Sequence, residues 1–327
     1  MSDSFSKIPS SNIFKKNDPQ DLRFGDLTKQ LQLSEILNLD PLKVNAVIMG
    51  YPDDEGIKIN GGRLGSAEGP KQIRKHFYKM TPSPFSQEKP ISIIDGGDLN
   101  ISNTPSLKNR HDQVFDIISK LLQKEFKVCT LGGGHDYGFP DFSAFSKVCL
   151  DKKKRPIIIN FDAHLDVRPY VDQPHSGNPF SQLLIKYGKG IDFLAVGIQE
   201  WCNSRVHLNW FLKNQGQVLS LNQILNHSLG LLGCLEEKLD SLYEKNHSLG
   251  LSICMDGFSS AFSPGASQVF PVGLEPQDFI RAFRMLCSKY KPKFISIYET
   301  SPPFDYDDRT SKMASVIMHQ WLTLLSD

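Results

Sequence analysis

Three stretches of this 327-residue chain place metal-binding side chains directly after apolar runs. The run Pro156–Phe161 leads into Asp162-Ala-His164-Leu-Asp166. On an extended backbone, residues i, i+2 and i+4 face one side, so this spacing gathers two carboxylates about an imidazole. A polar turn with His164 satisfied locally is the alternative, and it accounts for one Asp more easily than for the triplet. The run Lys127–Leu131 leads into Gly132-Gly-Gly-His135-Asp136, where glycines permit a sharp turn and close backbone approach. A phosphate loop is the rival there, but no GK[ST] follows and Tyr137 takes the sixth place of GxGxxG. The run Gly250–Cys254 leads into Met-Asp256, again an i, i+2 pair. A free cysteine is commonly just a small buried hydrophobe, so Asp256 is the stronger member. The Pro- and Gly-rich stretch that follows, Phe262–Ser267, suits a pocket wall.

His135, Asp162, His164, Asp166, Cys254 and Asp256 thus supply candidate ligands from three strand ends. Two cations held about 3.5–4 Å apart by bridging groups can share one water, and in the best zinc cases lower its pKa from about 15.7 to about 7. A single ion held by fewer of these residues is the other reading of the same set.

Such residues need a scaffold. Short apolar runs fall at Asn45–Met49, Ile91–Ile94, Lys127–Leu131, Pro156–Phe161, Phe193–Val196, Gly250–Cys254 and Phe294–Ile297. Between them lie helical patterns such as Ser106–Glu125, Leu231–Lys245, Pro276–Tyr290 and Asp308–Leu325. Short strands alternating with longer helices predict an α/β fold with a parallel sheet buried on both faces. In such sheets ligands bind beyond the carboxyl ends of the strands, where the candidates sit. Residues 1–42 are polar and broken by Pro and Ser, with one short amphipathic stretch near Leu27–Leu39, and read as an arm. Residues 43–327 contain no internal repeat or low-complexity linker and read as a single domain.

Composition excludes several classes. The formal net charge of +1 leaves no electrostatic footprint for nucleic acid, and no run is long and apolar enough for a membrane span. The N-terminal stretch lacks the apolar core of a secretory signal, so a cytoplasmic location is expected. The six scattered cysteines form no CxxC pair and are expected to be reduced thiols.

These motifs resemble the ureohydrolase (arginase–agmatinase) superfamily. The shared pieces are GGGHD at 132–136, FDAHLD at 161–166, SICMDGFSSAFSPGAS at 252–267 and IYETSPPFDYDDRTSKMA at 297–314. GYPDDEGIKINGGRLGSAEGPKQIR at 50–74, HSGNPFSQLL at 175–184 and VGIQEW at 196–201 resemble the formimidoylglutamase branch most. The resemblance implies an arginase-like three-layer fold, a mostly parallel sheet between helices, and two Mn2+ ions. His135, Asp162, His164, Asp166 and Asp256 match the family's ligands, with Asp162 as a bridge. Glu299 matches the acid that contacts the amidine-like head of the substrate. The implied reaction is hydrolysis of N-formimidoyl-L-glutamate to L-glutamate and formamide, with Asp166 or a metal-held water relaying the proton to the departing amine. An agmatinase- or arginase-like activity on a guanidine is the alternative, and family members often form homo-oligomers.

One departure stands out, since Cys254 occupies the place of a second bridging aspartate. A thiolate must reach both ions through one sulfur, and it favours Zn2+ or Fe2+ over Mn2+. A thiolate-bridged pair, a depleted site and a non-catalytic homologue are the three outcomes. Ser176 stands where arginases place a proton-shuttling His, which the formimidoylglutamase branch also lacks. For the substrate carboxylates, Arg63 in the loop Asn60–Gly65 is the expected bidentate grip, with Asn178 and Arg168 behind it.

Overall fold

The computed structural model describes residues 4–85, 91–104, 106–242 and 246–326. Among these residues ten strands form one sheet: β1 Phe5–Ser6, β2 Thr28–Gln30, β3 Ala46–Gly50, β4 Ile93–Leu99, β5 Val128–Leu131, β6 Arg155–Phe161, β7 Asp192–Ile198, β8 Gly216–Ser220, β9 His247–Cys254 and β10 Phe294–Tyr298. Their order is β1-β4-β3-β5-β10-β9-β6-β7-β8, with β2 also on β4. Every pairing is parallel except β1 with β4.

Strand alternation divides the side chains between two cores. Ile157, Ile159, Phe161, Ile295 and Ile297 pack toward the helices Gly69–Phe77, Pro276–Tyr290 and Arg309–Ser326. Ile158, Phe294 and Tyr298 pack toward Leu107–Gln123, Gly138–Asp151 and Pro179–Tyr187. Period-two alternation with both faces apolar requires a helix layer on each side. The three-layer α/β architecture expected from the sequence is therefore present.

The apolar runs at Asn45–Met49, Lys127–Leu131, Pro156–Phe161, Phe193–Val196, Gly250–Cys254 and Phe294–Ile297 coincide with strands to within a few residues, and Ile91–Ile94 is the start of a strand that continues to Leu99. The amphipathic stretch near Leu27–Leu39 divides into β2 and a one-turn helix, Leu33–Ile36. Within the N-terminal arm, residues 4–42 contribute β1 and β2 to the sheet edge. Among the described residues no helix is long and apolar enough to cross a membrane.

Candidate metal centre

Four adjacent central strands, β5, β10, β9 and β6, end side by side. Register pairs Leu131 with Ile297, Tyr298 with Cys254, and Ile253 with Phe161. The next residues in each chain segment are therefore delivered to one place at the carboxyl edge of the sheet. They are the loop to His135, then Glu299, then Cys254 to Asp256, then Asp162 to Asp166. A cleft of about 520 Å³ opens over them, lined by His135, His164, Asp166, Cys254, Asp256 and Glu299 among others.

The ligand atoms fall into two groups that share one residue. His135, Asp162 and Cys254 have donor atoms within 4.8 Å of one another, and so do Asp162, His164 and Asp256. His135 Nδ1 lies 3.0 Å from both Asp162 Oδ2 and Asp166 Oδ2. His164 Nδ1 lies 3.2 Å from Asp256 Oδ2 and 3.5 Å from Asp162 Oδ1. Asp162 thus stands between the two groups, as a bridging ligand would. Gly257 permits the close approach, because a Cβ there would sit 2.9 Å from Asp162 Cα.

Atoms left over in this cluster point to a cation. Asp256 Oδ1 and Glu299 Oε2 are buried and have no hydrogen-bond partner among the described residues. Buried polar groups are normally satisfied, and both of these belong to residues that line the cleft. Nitrogen and carboxylate oxygen donors in two groups sharing an aspartate fit a pair of divalent cations. The other ring nitrogen of His135, Nε2, lies 3.0 Å from Ser252 Oγ. That contact engages Nε2 and orients the ring, leaving Nδ1 toward Asp162 and Asp166.

The electrostatics agree. Burial works against a charged imidazole, but Asp162 and Asp166 outweigh it and push His135 up to about 10. Burial likewise opposes His164, yet Asp256 and Asp162 carry it well above its ordinary range. Against burial, His135 and His164 hold the Asp162 carboxyl down. Burial and the charge of Asp162 raise both Asp166 and Asp256. Burial together with Asp162, Asp256 and Glu299 drives the Cys254 thiol well up. The cluster is an excess of acids held together by protons that divalent cations would replace.

Glu299 carries a left-handed backbone (φ 64°), and so does Asp166 (φ 49°). Both lie on the cleft wall, where uncommon backbone conformations mark constrained sites. Glu299 Oε1 accepts the backbone N–H of His135 at 3.0 Å, which leaves Oε2 toward the cleft.

The structure does not bring Arg63 and Asn178 to the cleft wall. Arg63 donates to the carbonyls of Ser267 (2.8 Å) and Ala266 (3.0 Å), and its guanidinium lies 4.2 Å from the Phe304 ring centroid. It therefore latches the Asn60–Gly65 loop to the Ala266–Ser267 wall. Asn178 is fully buried and ties its own loop together, donating to Gln173 O and accepting from the His175 N–H. Arg168 does line the cleft, with Nη1 donating to Asn60 Oδ1 at 2.8 Å, while Asn60 Nδ2 donates to Ser176 Oγ at 3.0 Å. Asn60, Asn203, His207 and Gln268 also face the cleft, and sequence reasoning missed them. Asn60 sits in the Gly-rich loop already singled out, and Asn203 lies two residues beyond VGIQEW, so loop position was the available signal.

Comparisons with known proteins meet this geometry. The model of the arginase family matches residues 44–323. A formimidoylglutamase of Clostridium tetani is 32% identical over 295 residues, covering 86% of this chain and 85% of that protein. A formimidoylglutamase of Staphylococcus haemolyticus is 28% identical and covers 97% of each. Among solved structures, formimidoylglutamase from Bacillus subtilis superposes with a TM-score of 0.82 at 23% identity, covering 95% of this chain and 94% of that one. Formiminoglutamase from Trypanosoma cruzi with Mn2+ gives 0.78 at 23%, covering 91% and 99%. With the strand ends, the shared aspartate and the matched span in agreement, the chain belongs to the arginase family.

Proposed function

We propose that this chain hydrolyses N-formimidoyl-L-glutamate to L-glutamate and formamide, a step of histidine degradation, with two divalent cations at the strand ends. The observation that carries the reading is the pair of ligand groups sharing Asp162 beneath a cleft that also holds Glu299 and Arg168. His135, Asp162, Asp166 and Cys254 would hold one cation; Asp162, His164, Asp256 and Cys254 would hold the other. When bound, the cations supply Lewis acidity and water acidified toward neutral pH.

The chain's own groups do the rest. Glu299 Oε2 receives the N–H groups of the protonated formimidoyl head, because Oε1 is already committed to the His135 N–H. Arg168, held by Asn60, takes a substrate carboxylate in the role first expected of Arg63. Asp166, on the cleft wall, passes a proton to the departing amine. Mn2+ is the family reading of the metal, and the sulfur of Cys254 moves the preference toward Zn2+ or Fe2+. Self-association and a cytoplasmic location belong to the same proposal, and light scattering of the purified protein reads the first.

The test is metal analysis of purified protein with parallel assays after supplying Mn2+, Zn2+ or Fe2+. Formamide from N-formimidoyl-L-glutamate is the expected product. Urea from agmatine or arginine would replace the substrate class. Turnover of nothing by metal-loaded protein would leave a binding homologue.

A further inference from the structure

Behind the ligand shell lies a buried carboxylate that takes no part in the chemistry above. Asp141, on the helix Gly138–Asp151, is fully buried, and four hydroxyl groups converge on it. Tyr51 donates to Oδ1 at 2.7 Å. Oδ2 lies 2.6 Å from the Tyr298 hydroxyl, 2.7 Å from Thr130 Oγ1 and 3.2 Å from Ser296 Oγ. These partners come from β10, from β5 and from the residue after β3, and all are fully buried. Burying a carboxylate is costly without such a shell, and a well-packed apolar cluster would fill the same space at less risk. Burial pushes the Asp141 carboxyl up to about 6, with the Tyr298, Tyr51, Thr130 and Ser296 hydroxyls opposing it.

The other end of Tyr298 explains the arrangement. Its ring stacks on the imidazole of His135, with centroids 4.7 Å apart and planes 28° from parallel. Phe180 meets the same imidazole edge-on at 5.1 Å. Gly132 leaves room for the tyrosine, since a Cβ there would fall 2.2 Å from Tyr298 Cδ1. Tyr298 also immediately precedes Glu299, so anchoring it steadies both a ligand and the amidine-facing acid.

We propose that Tyr298 is a positioning residue: Asp141 and its hydroxyl cluster hold the Tyr298 ring flat against His135, which keeps Nδ1 aimed at Asp162 and Asp166. It acts through His135, and it does not line the cleft. The inference rests on the two-cation reading of the site but not on the identity of the substrate.

The test uses full-length protein stripped of metal, with Mn2+ and Zn2+ affinities measured by competition against a chelating dye. Tyr298→Phe keeps the ring and loses the anchor; Tyr298→Leu loses the stacked face; Asp141→Asn weakens the anchor from the other end. Outer-shell partners of metal-binding histidines typically contribute roughly 10–100-fold in affinity. We expect a loss of about tenfold for Tyr298→Phe and more for Tyr298→Leu, with KM for substrate nearly unchanged. Tyr298→Phe and Asp141→Asn are expected to be non-additive when combined. Phe283→Leu, a buried change in the other core, controls for general loosening and is expected to leave affinity unaltered. Wild-type metal affinity in Tyr298→Phe and Tyr298→Leu overturns the proposal, and so does an equal loss in Phe283→Leu. If the wild type binds two cations but releases no formamide, the substrate reading fails, and a metal-affinity loss confined to the Tyr298 and Asp141 variants still supports the positioning role.

Discussion

Cys254 is the residue on which the metal's identity turns. Its thiol is buried at the centre of the acid cluster, and burial with Asp162, Asp256 and Glu299 drives it well above its ordinary range. Only a cation close to the sulfur would draw off that proton. Thiolates select softer ions than carboxylates do, so the wild type is expected to favour Zn2+ over Mn2+ in direct competition. Cys254→Asp is expected to narrow that preference, with Mn2+ affinity rising by at least about tenfold; Cys254→Ser is expected to lose metal. Unchanged metal content in Cys254→Ser would remove the sulfur from the ligand set. Ser252 poses a separate question. Its hydroxyl lies 3.0 Å from His135 Nε2, and Ser252→Ala is expected to weaken metal binding by roughly 10–100-fold without altering the fold, as circular dichroism and chelator competition would show.

At the level of elements, the loop Asn60–Gly65 and the segment after β6 divide the task that the sequence assigned first to Arg63, with Asn178 and Arg168 behind it. Arg63 fastens the loop to the carbonyls of Ala266 and Ser267, whereas Arg168 faces the cleft. A charge-assisted hydrogen bond contributes about 1.5–3 kcal/mol, or roughly ten- to a hundredfold in an equilibrium constant. Arg168→Ala is expected to raise KM by that factor with kcat little changed, while Arg63→Ala lowers thermal stability and moves KM much less. Equal KM effects would return Arg63 to the substrate site. The sequence could not distinguish them, because nothing local shows that two distant carbonyls engage the Arg63 guanidinium. The ligands were legible for the opposite reason, since they follow apolar runs directly, although the backbone past the strand ends is not extended as the spacing suggested: Met255–Gly257 and His135–Tyr137 are 3-10 turns and Asp166 is left-handed. The central strands were legible from the same runs. β1 and β8 lie at sheet edges, where two residues or a half-exposed Gly-Gln-Val-Leu-Ser give little apolar signal. The helix Gly138–Asp151 was missed because it is buried nearly all round, which hides the 3.6-residue period.

Across the whole molecule, the cation pair and the fold are thermodynamically linked. The cleft floor gathers three strand-end carboxylates, Glu299 and a thiol from segments far apart in sequence, so whatever neutralises them stabilises their convergence. Ligand at about a hundredfold over Kd adds roughly 2.7 kcal/mol, so chelation is expected to lower the melting temperature by several degrees. The size of that shift depends on pH. Without cations, His135 is pushed up to about 10 in the folded chain, above an ordinary value of about 6.5. A raised folded pKa contributes stability below about 6.5, and that contribution is lost as pH climbs toward 10. The metal-free protein thus loses its His135 contribution on the alkaline side, while the cation meets less competition from protons there. The gain in melting temperature on adding Zn2+ is therefore expected to be larger at pH 8.5 than at pH 6.5, and calorimetry in buffers of different ionisation enthalpy is expected to show protons released on binding. A gain independent of pH, with no proton release, would mean that the ions bind away from His135.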